Sequence, residues 1–317
     1  MIQQPSTPKA LQRTLIDTLG DAYRMANRQP WLVLPFLLLN LYMWFGAQIS
    51  FAPLVDSLVT MFTELQPATA VDSATTVEGL RVFAQLDMRY QLDLLKTIPI
   101  LPTTQFIGMA GSAEPIQVRT ILGALAVFVL INLLSFPITA AVLVAMAEAA
   151  RGVPLPASQL LLRMGRGLLS IIIAMLIVLA VGSALVLPFF VLSVVLAAIN
   201  PAIGSFAMFL MMLAIIWIGI YLGFTNEAIV IGPMGPLDAL RMSFTVVRKH
   251  FWGTIGLLIL TGVIWNGCAA LFSNVVNTPI GVAIALIGSA YIGFGVRMAR
   301  LIFFQDRLQL VQADRKA

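Results

Sequence analysis

Hydrophobic and polar positions along the chain alternate between amphipathic stretches with helical spacing and long runs without charge. The clearest join of the two spans 236–260. Leu237, Leu240, Phe244, Val247 and Phe251 recur at helical intervals there, and Asp238, Arg241, Thr245, Arg248 and Lys249 take most of the other positions before a charge-free run begins at Trp252. This pattern predicts a helix lying on a membrane surface that then turns in, with the Trp252 indole at the boundary between headgroups and acyl chains. The same join is expected twice more. Over 8–29, Leu11, Leu15, Leu19, Ala22, Tyr23 and Ala26 oppose Arg13, Asp17, Asp21, Arg24 and Arg28; over 157–166, Leu160, Leu161 and Met164 oppose Gln159, Arg163 and Arg166.

The charge-free runs predict six spans, since roughly 20 apolar residues cross a bilayer as a helix. They are expected at 31–51, 121–147, 168–198, 203–226, 252–272 and 278–297, with a tail over 301–317. Pro137 inside the second span predicts a kink. The third is overlong and holds Pro188, so it is either kinked and tilted or followed by a short re-entrant piece. Asn200-Pro201 is the expected turn between the third and fourth spans, and Gly219 and Gly223 form a small-xxx-small pair that permits close helix approach. The segment 52–117 is an insertion between the first two spans. Its middle reads as a small-residue linker, 77–96 as an amphipathic helix through Leu80, Phe83, Leu86, Tyr90 and Leu94, and the rest as irregular chain punctuated by Pro99, Pro102 and Pro115.

Composition agrees with a membrane protein. Of 317 residues, 60% are hydrophobic and 10% charged, and mean hydropathy is +0.96; a soluble domain carries about 25% charged residues. The net charge of +5 is informative through its placement. Of 19 Lys and Arg, only Arg81, Arg89, Lys96 and Arg119 fall in or beside the long insertion, whereas half of the acidic residues do. The positive-inside rule then puts both termini in the cytoplasm, as expected of a multi-pass protein of a bacterial inner membrane. Basic residues flanking spans need no nucleic acid to explain them, and no recognition module is present. The polar first thirty residues are unlike a cleavable signal peptide.

Candidate chemistry is sparse. His250 is the sole histidine and Cys268 the sole cysteine, which leaves no intrachain disulfide and no His-based metal or catalytic site; neither cofactor nor metal nor enzymatic activity is expected. Among the outer carboxylates, Asp87, Asp93 and Glu114 are the set that could gather round a metal. Glu148 and Glu227 close two return spans and are expected to pair with Arg151, Arg163 or Arg241 at the membrane edge. Inside the spans the polar candidates are Asn40, Gln48, Asn132 and Asn266, where one amide in lipid usually finds an interhelical partner.

Laid over one another, Asp21-Ala22-Tyr23-Arg24-Met25, Leu161-Leu162-Arg163-Met164 and Asp238-Ala239-Leu240-Arg241-Met242 suggest three copies of a surface helix followed by a helical hairpin. Basic amphipathic junctions also look alike by chemistry alone. The run Asn226-Glu227-Ala228-Ile229-Val230, Gly235, Asp238 through Ser243, Val246-Val247-Arg248 and Phe251-Trp252-Gly253 resembles the final third of the membrane-domain family of glycerophosphoryl diester phosphodiesterases and related bacterial six-span proteins. The resemblance is best over 225–260 and implies architecture. The phosphodiesterase domain fused to some members is absent here, with its His-Arg and Glu-x-Asp elements, so no catalytic residue carries over.

The expectation is therefore an all-α polytopic bundle of six transmembrane helices with cytoplasmic amphipathic interface helices. Its role is read as a non-enzymatic scaffold or accessory protein engaging anionic membrane lipids, or another membrane protein or a second copy, through Arg24, Arg28, Arg163, Arg166, Arg241, Arg248 and Lys249. The alternative is a transporter or channel subunit for a neutral or lipidic substrate, which a cavity lined by Asn40, Gln48, Asn132 and Asn266 would favour.

Overall fold

A computed structural model describes residues 13–65, 114–152, 156–232 and 234–314, with isolated positions between 78 and 89. The expected linker, most of the 77–96 helix, nearly all of the Pro99–Pro115 stretch, residues 8–12 and residues 315–317 lie outside the described residues.

Helix α1 (Leu15–Arg28) is amphipathic as expected. Thr14 caps it: its hydroxyl accepts from the Asp17 N–H at 3.2 Å, and the Asp17 carboxylate accepts from the Thr14 N–H at 3.2 Å. This bonding holds the Asp17 carboxyl below the usual aspartate value, the Thr14 side chain being the larger cause. Pro30 ends α1 and opens a short 3-10 turn, Pro30–Val33, that leads into α2 (Leu34–Phe45).

The first expected span is corrected here. Helix α2 has 12 residues, a rise of only ~18 Å, and residues 46–51 do not continue it. The chain turns at Gly46, where a Cβ would lie 2.5 Å from the Tyr42 carbonyl oxygen, and then forms strand β1 (Ile49–Ser50). Strand β1 pairs in parallel with β2 (Ile116–Gln117), Ile49 opposite Ile116, with α3 (Ala52–Leu65) between them in sequence.

Among the described residues, five helices are long and apolar enough to cross a membrane. They are α4 (Ile121–Arg151), α5 (Ala157–Ile199), α6 (Pro201–Leu222), α9 (Phe251–Val275) and α10 (Pro279–Asp314). Between α6 and α9 lie the short α7 (Thr225–Ile231) and the amphipathic α8 (Pro236–Lys249). Pro137 and Pro188 sit inside continuous helices, and the α5–α6 turn falls where expected. There the Asn200 side chain accepts from the Ala202 N–H at 2.9 Å, with Pro201 at the first helical position.

Two expected boundaries vanish. Residues 157–166 are not a separate surface helix but the first turns of the 43-residue α5, since Gly165 and Gly167 weaken a helix without breaking it. The expected tail from 301 is the continuation of α10, and Leu301, Phe303, Phe304, Leu308 and Val311 in it are buried. Half of the apolar window of α10 is buried, against 6–17% for the other four long helices. Helix α10 is therefore the post on which α1, α2 and α9 pack, while the others turn apolar side chains outward, as lipid-facing helices do. Phe36, Asn40, Met43 and Trp44 of α2 form the stripe that meets it, with Phe36 edge-on to Phe294 at 5.8 Å. Gly295 lets α1 in: a Cβ there would lie 2.1 Å from the Tyr23 ring.

Candidate functional site

Two ends can be told apart by charge. At one of them Arg13 meets Asp306 at 3.5 Å, so the described starts and finishes of the chain lie together there, along with Arg151, Arg163, Arg166, Arg297 and Arg300. Each glutamate closing a return helix is paired. Glu148, near the end of α4, accepts from Arg151 and Arg163, two of the partners expected for it. Glu227 pairs with Arg297 at 3.0 Å and Arg300 at 3.2 Å, neither of which was anticipated. Arg241, the expected candidate, stands exposed on α8 beside Asp238 at 4.0 Å.

A junction without regular helix holds this end together. The helix is interrupted between α6 and α7 at Gly223–Phe224, and Ser243 of α8 spans the break: its hydroxyl accepts from the Phe224 N–H at 3.2 Å and donates to the Tyr221 carbonyl at 2.8 Å. Arg300 reaches the Gly223 carbonyl and lies 5.1 Å over the Phe224 ring. Arg151 donates to the carbonyls of Val230 and Ile231, satisfying the open end of α7. Trp217, Tyr221, Phe244 and Phe251 form a stacked aromatic group that Trp252 joins edge-on, with ring centroids 4.9–6.4 Å apart. Such a belt is where the headgroup layer of a bilayer meets protein.

Helix α8 departs in detail from the sequence expectation. Its buried stripe is Ala239, Ser243, Val246 and Val247, so Leu237 and Phe244 face outward, on the same side as Arg241 and Arg248. Apolar and cationic side chains alternate along that outer face, and Trp252 at its foot is 82% exposed, an arrangement suited to the membrane interface rather than to water alone.

The cationic residues expected to act together are divided among three places. Arg163 and Arg166 join Arg151 in a cavity of about 420 Å³ walled by Val144, Gly167, Leu169, Ser170, Ile229 and Val230. Arg24 and Arg28 line a second, of about 330 Å³, between α1 and α10, where Asp21 and Asp306 also stand. Arg241, Arg248 and Lys249 remain on the outer face of α8. Arg151 was not among the predicted headgroup contacts; its place directly after the apolar run of α4 was the available signal.

The four intramembrane amides do not converge. Asn40 is buried and donates to Ser289 of α10 at 3.0 Å, and Gln48 is buried near β1. Asn132 and Asn266 donate to carbonyls of their own helices, at Phe128 and Gly262, both at 2.8 Å. None of the three cavities discussed in this section has any of them in its lining. The Gly219–Gly223 pair is likewise not a helix contact, since nothing lies within 4 Å of a Cβ at Gly219. Both glycines instead line a third cavity, of about 280 Å³, with Ala174, Met175, Val178 and Leu222.

At the opposite end Asp87 and Arg89 form a buried pair, 2.7 Å apart. Arg89 also donates to the carbonyls of Tyr42 and Met43 at 3.2 and 3.1 Å, closing the end of α2, while Asp87 accepts from the Ile49 N–H at 3.3 Å. Asp87 is thereby committed to Arg89, no group of three metal-ligating side chains gathers among the described residues, and Asp93 lies outside them.

The fold defines a multi-pass helical membrane protein. No family model, no curated protein and no solved structure matches the chain.

Proposed function

We propose that this chain is a non-enzymatic accessory protein of the bacterial inner membrane that engages anionic lipid through its basic end. In this reading both termini are cytoplasmic and the Pro30–Phe45 segment counts as a sixth, short crossing. The basic amphipathic segments at 21–25, 161–164 and 238–242, the second of them the first turns of α5, derive from one ancestral unit, and the likeness of 225–260 to phosphodiesterase membrane domains belongs to the same proposal.

The observation that carries the reading is the Arg151–Arg163–Arg166 cavity at the level of the aromatic belt. Glu148 offsets two of these guanidiniums, and no carboxylate among the described residues pairs with Arg166. A net positive recess beside headgroups suits a phosphate, which guanidinium binds through two parallel hydrogen bonds.

The test is lipid binding by the purified full chain, followed by native mass spectrometry with phosphatidylglycerol and phosphatidylcholine of the same acyl chains. Preferential retention of phosphatidylglycerol is expected, weakened by Arg241→Gln, Arg248→Gln and Lys249→Gln together. Each interfacial cation is worth about 1 kcal/mol against anionic lipid, so the triple change should lower affinity by on the order of 100-fold at low salt. Equal retention of both lipids by the unsubstituted chain would overturn the proposal.

A further inference from the structure

The arginine-lined cavity and the apolar cavity behind it share two walls. On α5 the first takes Arg163, Gly167 and Ser170, and the second takes Ala174 and Val178. These positions recur every three or four residues, so they make one continuous face. On α7 the first cavity takes Ile229 and Val230 and the second Thr225 and Asn226, one turn away. The directions agree. Helix α5 leaves the basic end, so Ala174 lies a turn deeper than Ser170; α7 approaches that end, so Thr225 lies a turn deeper than Ile229, at ~5.4 Å per turn. A charged mouth therefore opens at the headgroup level and is backed by an apolar recess pointing into the hydrocarbon layer.

The two parts differ in chemistry as the two parts of a lipid do. The mouth presents three guanidiniums and the Ser170 hydroxyl; Glu148, outside its lining, pairs with Arg151 and Arg163 and leaves the mouth net positive. A choline or ethanolamine head would set its ammonium among three guanidiniums, with Glu148, already paired to Arg151 and Arg163, as the one carboxylate beside them. The non-arginine walls are Val144, Leu169, Ile229, Val230 and Met234, which offer little to a large sugar head. The recess behind is walled by Ala174, Met175, Val178 and Leu222, with Gly219 and Gly223 leaving the space open.

We infer that the seam between α5, α6 and α7 holds one molecule of an anionic phospholipid with a small head. Its phosphate sits between Arg163 and Arg166, and the start of one acyl chain lies in the recess beside Gly219. The inference rests on the anionic-lipid reading above and narrows it from a charged surface to one stoichiometric site. Free glycerol phosphate offers a phosphate and a glycerol, with at least as much negative charge, and lacks the chain, so it separates a lipid site from a simple anion site.

The experiment uses the full chain in detergent and counts bound lipid by native mass spectrometry during titration with phosphatidylglycerol, phosphatidylcholine and glycerol phosphate. One phosphatidylglycerol is expected to bind more tightly than the rest and to survive delipidation, while glycerol phosphate fails to displace it at equal concentration. Gly219→Leu puts a side chain into the recess from a position where nothing lies within 4 Å of a Cβ. It is expected to weaken the tight copy at least tenfold and leave the weaker copies unchanged. Arg166→Gln, at the exposed rim, should weaken the same copy about fivefold to tenfold, with the thermal midpoint of the lipid-free protein unmoved in both variants.

Survival of the tight copy in both variants, or its displacement by glycerol phosphate, overturns the site. If the triple change on α8 still abolishes the preference for phosphatidylglycerol in that event, the broader reading stands without the site. A wild-type chain with no such preference removes both.

Discussion

Glu227 and Arg297 meet at 3.0 Å with side chains only 1% and 6% exposed, which makes them the most deeply enclosed ion pair at the basic end. Two long helices' worth of sequence is tied together by it, since Glu227 follows α6 and Arg297 stands midway along α10. Arg300, 23% exposed, adds a second guanidinium to the same carboxylate.

Removing that carboxylate leaves two guanidiniums without their counter-charge, one of them buried. Glu227→Ala is expected to cost about 3–5 kcal/mol, the range for breaking a buried pair from one side. Arg300→Gln should cost less, about 1–2 kcal/mol, because Arg297 keeps its partner and the lost hydrogen bonds are partly solvated. Equilibrium unfolding in mixed micelles measures both; equal losses would mean that burial does not set the ranking.

The Asp87–Arg89 pair makes a parallel case at the other end, with a local readout. Arg89 holds the Tyr42 and Met43 carbonyls, so Arg89→Ala should fray the last turn of α2. Faster hydrogen exchange at the Phe45 and Gly46 amides is expected, with the α9 and α10 amides unchanged. Asp87→Asn should have a similar effect through loss of its hold on both Arg89 and the Ile49 N–H.

Two glycines with opposite surroundings give a contrast in packing. A Cβ at Gly295 would lie 2.1 Å from the Tyr23 ring, whereas one at Gly219 meets nothing. Gly295→Ala should push α1 from α10 and destabilise by about 1–3 kcal/mol, as overpacking does. Gly219→Ala should be neutral or stabilising by up to about 1 kcal/mol, because alanine loses less backbone freedom in a helix. Limited proteolysis within 13–28 should rise in the first variant and not in the second.

Asp17 titrates at the surface, outside the spans, and its carboxyl is held below the ordinary aspartate value by Thr14. A depressed folded value means that its contribution to α1 is present above the unfolded value of about 3.9 and fades as pH falls below it. Amide exchange at Asp17 and Thr18 should therefore quicken below about pH 4. Asp17→Asn should remove that dependence while keeping part of the cap.

The alternation of greasy runs and amphipathic joins made most of this arrangement legible before any coordinates. The Asn200–Pro201 turn, α8, α9, the amphipathic α1 and the pairing of Glu148 all follow from residue type and spacing. Hydropathy alone misread 31–51, because Ile49 and Phe51 suit a strand as well as a helix and the partner strand at Ile116–Gln117 is far away in sequence. The apolar stripe expected on α8 divides in the structure, Val247 facing protein and Leu237 and Phe244 facing outward. Periodicity finds a face but does not say whether lipid or protein covers it, and here Ala239 and Ser243 pack inward while Leu237 and Phe244 look out. The amides Asn40, Asn132 and Asn266 looked like one set only because composition carries no directions. The arginine cavity was half visible, through Arg163 and Arg166; the part played by Arg151 depends on where α7 ends in space.

Helix α10 has a temporal consequence. Ribosomes make α1 and α2 first and α10 long afterward, yet α10 supplies the stripe on which both of them rest. Until residue 279 and its successors emerge, the hairpin of α5 and α6 can wait in lipid, whereas the inward faces of α1 and α2 have no native seat. Seating of α1 and α2 thus waits for α10, and a nascent chain stalled before that point would present Phe36, Asn40 and Met43 to whatever insertase or chaperone attends it.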